Sequence, residues 1–170
     1  MNPLQRALDL IKSFEGISDG DPSTVNLDPY LDPVGIWTIG WGHVIRDSEG
    51  KAVCGKENRA LARSIYPEGL TVEEAVVLLR DDVRAVVAGL RKLVKVKLNS
   101  FQWAALISFS FNLGLRNLKK STLLKYVNAR DFEKAALEFP KWNRAKGKVL
   151  NGLVRRRKAE ADCFQGNVGG

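Results

Sequence analysis

The chain has 170 residues, enough for one domain or one domain with a small lobe, and enough to bury a core without covalent staples. Its 45% hydrophobic and 27% charged composition excludes a disordered or fibrous chain, and no run approaches the roughly 18–20 apolar residues of a spanning helix. A net charge of +8 favours polyanionic partners, namely nucleic acid, an anionic membrane surface or an acidic polysaccharide, while two distant cysteines and one histidine argue against a disulfide framework or a zinc centre.

In chain order, Asn2 and Pro3 read as an N-cap and first helical residue. Leu4, Ala7, Leu8, Ile11 and Phe14 then fall on one helical face, and Gly16 is a natural stop. Glu15 therefore sits in the last turn, where the helix dipole disfavours a carboxylate. Residues 17–29 are rich in Gly, Asp, Pro, Ser, Thr and Asn and read as a loop. From Tyr30 to about Val53, β-branched and aromatic residues punctuated by Gly35, Gly40, Gly42 and Gly50 predict a small antiparallel sheet. The remainder is expected to be helical. Thr71 and Glu74 form a capping-box pattern opening a helix to about Leu93. Asn99 or Ser100 caps a nearly all-apolar, central helix, Asp131 caps a short one from Phe132 to Phe139, and a last, basic helix runs from about Leu150 to Phe164. The expected fold class is α+β: mostly helical, with a small antiparallel β lobe at about 17–56, a helical lobe at about 57–165, and a ligand cleft between the lobes of one domain covering 1–170.

Hydrolysis of a glycosidic bond needs one carboxylic acid to protonate the leaving oxygen and a second carboxylate facing it across a groove. Glu15 at a helix end and Asp32 at the start of the β lobe fit that layout, with Thr38 returning on the next strand. The same residues also read as a solvated helix end, a turn former before Pro33 and a β-propensity choice. Layout alone does not separate the two.

The motifs do. Phe14-Glu15-Gly16 followed by Tyr30-Leu31-Asp32-Pro33-Val34-Gly35-Ile36-Trp37-Thr38-Ile39-Gly40-Trp41-Gly42-His43 resembles the active-site segment of phage lysozymes of glycoside hydrolase family 24. The resemblance continues through Gln102-Trp103-Ala104-Ala105-Leu106, Ser108 to Gly114, Trp142 and Gly152 to Glu160. It implies a lysozyme-like fold and a cofactor-free, metal-free muramidase that cleaves between N-acetylmuramic acid and N-acetylglucosamine in peptidoglycan. It further implies Glu15 as general acid, Asp32 as the carboxylate that orients or activates water, Thr38 as its partner, and inversion at the sugar carbon. Gly40, His43, Gln102 and Asn112 match positions that line or brace the substrate groove. Glu15 has to stay protonated near neutral pH to act, and burial against apolar neighbours is the usual means. One departure stands out. Glu15 and Asp32 are 17 positions apart (32 − 15), a longer stretch than is usual in the family, and the insert brings three rival carboxylates, Asp19, Asp21 and Asp28. Asp32 is preferred because it alone keeps the Tyr, Gly and Thr neighbours of the motif.

A lytic transglycosylase, which cleaves the same bond with one essential Glu, and a non-catalytic wall- or nucleic-acid-binding protein are the alternatives. The full set of Asp32 and Thr38 argues against both, and no nucleic-acid module or stacking platform accompanies the basic C-terminal segment. That segment, Lys141 to Lys158, is expected to make at most electrostatic contact with an anionic envelope. Arg157 and Glu160 read as a helix-surface pair. Cys54 and Cys163 are expected as free thiols. Asp9 and Lys12 spoil the first apolar stretch as a signal, so the expectation is a monomer held in the host cytoplasm, without a stable membrane anchor, until a holin-type partner releases it.

Overall fold

Asn2 does cap the first helix, α1 (Pro3–Phe14): its Oδ1 accepts the Leu4 N–H at 2.8 Å. The computed structural model describes residues 2–167, which fall into two units. One is Glu15–Asp82; the other combines the segment up to Phe14 with that from Val83 onward.

The first unit is built on three short antiparallel strands in the order β1 (Tyr30–Leu31), β2 (Trp37–Ile39) and β3 (His43–Val44). Tyr30 pairs with Thr38 and Leu31 with Trp37; Thr38 pairs with Val44 and Ile39 with His43. Further rungs, Ile36 with Cys54 and Arg46 with Ala52, extend the ladder into a second hairpin. Trp37, Ile39, Ile45, Val53 and Ala62 form the core, with Leu31, Tyr66, Leu70 and Leu78 packed against it. Ala62 comes from α2 (Arg59–Ile65) and Leu78 from the first half of α3 (Val72–Leu93). Those helical contacts explain why this unit reaches Asp82, well beyond the 17–56 span expected from strand pattern alone. The α3 capping box forms as predicted: Thr71 Oγ1 accepts the Glu74 N–H at 3.1 Å, and Glu74 Oε2 accepts the Thr71 N–H at 2.8 Å.

In the second unit, α4 (Ser100–Leu113) is the hub. It is apolar on all sides, with Ala104 to Phe109 all buried, and packs on both α1 and α8 (Asn151–Phe164). Between them run α5 (Leu115–Lys120), α6 (Thr122–Asn128) and α7 (Phe132–Glu138), the last capped by Asp131 at 3.2 Å. Phe109 meets Phe139 and Trp142 edge-on at 5.5 and 5.6 Å, an arrangement that suits the ring quadrupoles.

Two expectations are corrected. The chain after Val53 is not entirely helical: β4 (Arg144–Ala145) and β5 (Lys148–Val149) form an exposed hairpin. Lys146 and Gly147 both take positive φ, 49° and 77°, which is the geometry of a tight two-residue hairpin turn. Both strands lie in solvent, so no apolar alternation announced them. Nor are Arg157 and Glu160 a surface pair, since both are fully buried. Glu160 Oε1 accepts from the Ser108 hydroxyl at 2.7 Å and from Arg156 Nε at 3.2 Å, and Oε2 lies 3.0 Å from Arg157 Nη1. Burial, the largest influence, pushes the Glu160 carboxyl up, against the pull of Arg157, Ser108 and Arg156. The cluster ties α8 to α4 through charge-assisted bonds where most of the interface is apolar.

Removing one partner of such a buried cluster strands the others, which costs about 3–5 kcal/mol. Glu160→Gln is therefore expected to lower unfolding free energy by that amount in urea titration. Lys158→Ala, which removes an exposed pair with Asp162 at 2.7 Å, should change it by less than about 1 kcal/mol.

Candidate active site

Glu15, Asp32 and Thr38 all belong to the sheet-bearing unit. Glu15 directly follows the last residue of α1 and is half-buried. Asp32 follows β1 and organises the turn into β2. Its N–H donates to the Ile36 carbonyl at 2.9 Å, while its Oδ1 accepts from the Val34 and Ile36 N–H groups at 2.9 and 2.8 Å. Both turn bonds fall on one carboxylate oxygen, so Oδ2 is not consumed by them. Thr38 lies opposite Tyr30 in the ladder, is 3% exposed, and donates its hydroxyl to the Tyr30 carbonyl at 3.3 Å.

Strand alternation fixes which way these groups face. Leu31, Trp37 and Ile39 turn into the core, so Tyr30, Thr38 and, one step beyond the strand, Asp32 share the opposite face. The sheet thus brings Asp32 and Thr38 to one side, although the Thr38 hydroxyl bonds Tyr30 and not Asp32.

The insert before Asp32 is an ordered loop, and its aspartates are engaged in holding it. Asp19 Oδ1 accepts the N–H groups of both Asp21 and Asp28 at 3.0 Å. Asp21 bonds Ser23 and lies 3.3 Å from Arg63 Nη2; these partners, Ser23 first, hold its carboxyl below the usual range. Asp28 is 9% exposed and accepts the Thr24 hydroxyl at 2.5 Å. The loop is pinned at its ends as well: Ser18 bridges to Gly40, and Leu27 exchanges two backbone bonds with Leu70 at 2.7 and 2.8 Å. Gly20 is required here, because a Cβ would come within 1.9 Å of the Pro29 carbonyl oxygen.

The other residues that the sequence points to have visible structural tasks. Gly40 is buried at φ 62°, and a Cβ on it would press on Ala75 at 3.0 Å. His43 Nδ1 lies 2.8 Å from Asp82 Oδ2, with both side chains about one-third exposed or less. Gln102, in the other unit, is 8% exposed and completes the α4 capping box, its Oε1 accepting the Asn99 N–H at 3.0 Å. Asn112 Oδ1 accepts from Arg157 Nη2, which adds it to the buried Glu160 cluster. Asp82 escaped the sequence reading, as did the loop-holding role of Asp19 and the bond of Ser108 to Glu160. Asn99 and Gln102 carried a capping signal three residues apart; Asp82 lies 39 positions from His43 and Ser108 lies 52 from Glu160, beyond any local pattern.

The chain is thus a mostly helical α+β protein with a glutamate at the end of its first helix, and an aspartate and a threonine on one face of a small sheet. The model of the phage lysozyme family matches residues 13–160, and the chain belongs to that family. An endolysin of Bacillus phage B103 is 42% identical over 96% of this chain, which spans 54%, about half, of that relative's length. Among solved structures, an endolysin from Escherichia coli O157:H7 phage FAHEc1 is similar at TM-score 0.76 and 33% identity, over 99% of this chain and 96% of that one. The muramidase domain of SpmX from Asticaccaulis excentricus is similar at TM-score 0.69 and 31% identity, over 93% of each chain. The fold is lysozyme-like, as the motifs implied.

The His43–Asp82 pair joins β3 to the first half of α3 at partial exposure, where such pairs are worth about 1 kcal/mol or less. Asp82→Asn is expected to lower thermal stability by that amount near neutral pH, read by calorimetry, with the double variant His43→Gln/Asp82→Asn losing little more.

Proposed function

We propose that the chain is a muramidase that hydrolyses the β-1,4 bond between N-acetylmuramic acid and N-acetylglucosamine in bacterial peptidoglycan. Glu15 protonates the leaving glycosidic oxygen, and the Asp32 carboxylate, with Thr38 beside it, orients and activates the attacking water for inversion. The observation that carries the reading is the ordered Asp32 turn on the Thr38 face of the sheet, in a chain of the phage lysozyme family. The insert supports the same choice. Asp19, Asp21 and Asp28 are each committed to bonds within the loop, whereas Asp32 follows β1 directly, on the Thr38 face of the sheet.

In this reading the two units act as one catalytic domain and as a monomer, with no cofactor, metal or nucleic acid involved. Gly40, His43, Gln102 and Asn112 serve substrate binding indirectly, each by holding backbone or helix within its own unit. The substrate lies in the cell wall, so the protein has to leave the host cytoplasm to meet it, and a holin-type partner is the proposed route. Among the described residues no helix is long and apolar enough to cross a membrane.

Clearing of chloroform-permeabilised Gram-negative cells tests the assignment. Removing a general acid costs typically 10²–10⁴-fold, so Glu15→Gln and Asp32→Asn should each lose about that much while Asp21→Asn stays within a few-fold of wild type. Retained lysis in Asp32→Ala, with loss in Asp21→Ala or Asp28→Ala, would reassign the second carboxylate. Mass spectrometry of released muropeptides should show reducing-end N-acetylmuramic acid; anhydro ends would identify a transglycosylase instead.

A further inference from the structure

The net charge of +8 conceals a segregation. The unit Glu15–Asp82 holds 13 carboxylates and six Lys or Arg, a balance of −7. The rest of the chain holds 21 cations and six carboxylates, a balance of +15. From Val83 to Arg130 there are ten Lys or Arg and no Asp or Glu at all. Some cations of the helical unit have evident work elsewhere: Arg156 and Arg157 are buried around Glu160, and Lys134, Lys141 and Lys158 pair with carboxylates.

A group without such partners gathers at the C-terminal end of α3. Lys92, Lys95, Arg116 and Lys119, all exposed, ring a cavity of about 640 Å³ whose other walls are Gly89, Leu93 and Leu115. No carboxylate lines it, and among the described residues none of the four is in an ion pair. Helix C-termini favour three of them: Lys92 lies in the last turn of α3, Lys119 in the last turn of α5, and Lys95 Nζ donates to the Lys92 carbonyl at 2.7 Å. Arg116 has the opposite problem, since it lies in the first turn of α5, where the dipole disfavours positive charge.

The groove is preformed. A Cβ on Gly89 would come within 2.1 Å of Leu115 Cδ1, so glycine lets α3 and α5 pack closely at the floor. Asn128 fastens the segment after α3, its Oδ1 accepting the Lys95 N–H at 2.8 Å and its Nδ2 donating to the Leu93 carbonyl at 3.1 Å. A free phosphate would satisfy the cationic rim and leave Leu93 and Leu115 in water. A lipid phosphate satisfies both, with its oxygens on the Lys and Arg donors and its glycerol and upper acyl carbons on the leucines.

We propose that this groove docks the protein on an anionic phospholipid bilayer by taking in the phosphate and glycerol region of one anionic lipid. The site is independent of Glu15 and Asp32, so its fate and that of the muramidase reading are separable.

Co-sedimentation of the full chain with vesicles of phosphatidylglycerol and phosphatidylcholine, against vesicles of phosphatidylcholine alone, tests it at low salt. One Lys or Arg at an anionic surface is worth about five-fold in binding. Arg116→Gln/Lys119→Gln should therefore bind the mixed vesicles about 25-fold more weakly than wild type. Arg144→Gln/Lys148→Gln, on the exposed β4–β5 hairpin, removes the same charge and should lose less than five-fold. Circular dichroism checks that both variants fold. Soluble dihexanoyl phosphatidylglycerol should displace the protein from vesicles, and glycerol phosphate at the same concentration should not. Equal losses in the two variants would show a response to overall charge alone and overturn the proposal. Equal binding to both vesicle types, or competition by glycerol phosphate as strong as by the lipid, would overturn it as well.

Discussion

Register between β1 and β2 is the constraint on which the candidate chemistry depends. A slip of one residue would turn Trp37 and Ile39 out of the core and carry Thr38 into it, since side chains alternate with period two. Two rungs are few to hold that register. The Asp32 side chain supplies the rest by collecting two N–H groups of the connecting turn on one oxygen, while the core side chains reject the alternative energetically. The proposed water-activating residue is thus also a structural one. Replacing it changes both its reactive oxygen and the turn that presents it, so asparagine, which keeps an acceptor at the turn, is the more informative substitution.

The insert before this hairpin could have destroyed that arrangement. Seventeen positions separate Glu15 from Asp32, and a floppy loop of that length would leave their spacing to chance. What prevents it is the use of aspartate as a backbone acceptor. Asp19 bonds two loop N–H groups, Asp28 is buried on Thr24, and the Ser18 and Leu27 bridges hold each end against neighbouring backbone. Of these four aspartates, three hold the loop and the fourth, Asp32, holds the turn on the Thr38 face of the sheet.

What the sequence made legible was whatever is decided locally or by motif. The caps at Asn2, Thr71, Asn99 and Asp131 all form, because an N-cap needs only its own first turn. The sheet, the apolar α4 and the lysozyme-like class were legible from β-branched content, all-round hydrophobicity and motif order. The exposed hairpin at 144–149 was not, because without a buried face its only trace is the Lys-Gly turn. Burial of charge was not legible either. An i, i+3 pair such as Arg157 and Glu160 looks the same on a surface as in a core, and only Ser108 and Asn112, about fifty positions upstream, decide which it is. Motif positions had a related ambiguity: Gln102 matches the family, yet its amide is spent on capping α4, so a family match there supports the fold as much as it supports the groove.

The same reasoning reassigns the net charge. Read along the sequence, the basic character looked like a property of the C-terminal helix, yet Arg156 and Arg157 of that helix point inward and are neutralised in part by Glu160. Most of the surplus that faces solvent comes from a stretch of 48 residues, 83–130, with no carboxylate at all. Folding uses part of it at helix C-termini, where Lys92, Lys95 and Lys119 sit. Like charges this dense raise the energy of the native state through self-repulsion, and screening over about 10 Å at 0.1 M salt softens that cost without removing it. The acidic balance of the sheet-bearing unit offers no local relief to Lys92, Lys95, Arg116 and Lys119, none of which has a carboxylate within ion-pair distance among the described residues. Where a chain keeps repulsion that its helix ends offset only in part, and keeps it around a preformed apolar floor, the proposed anionic lipid supplies the remaining compensating charge.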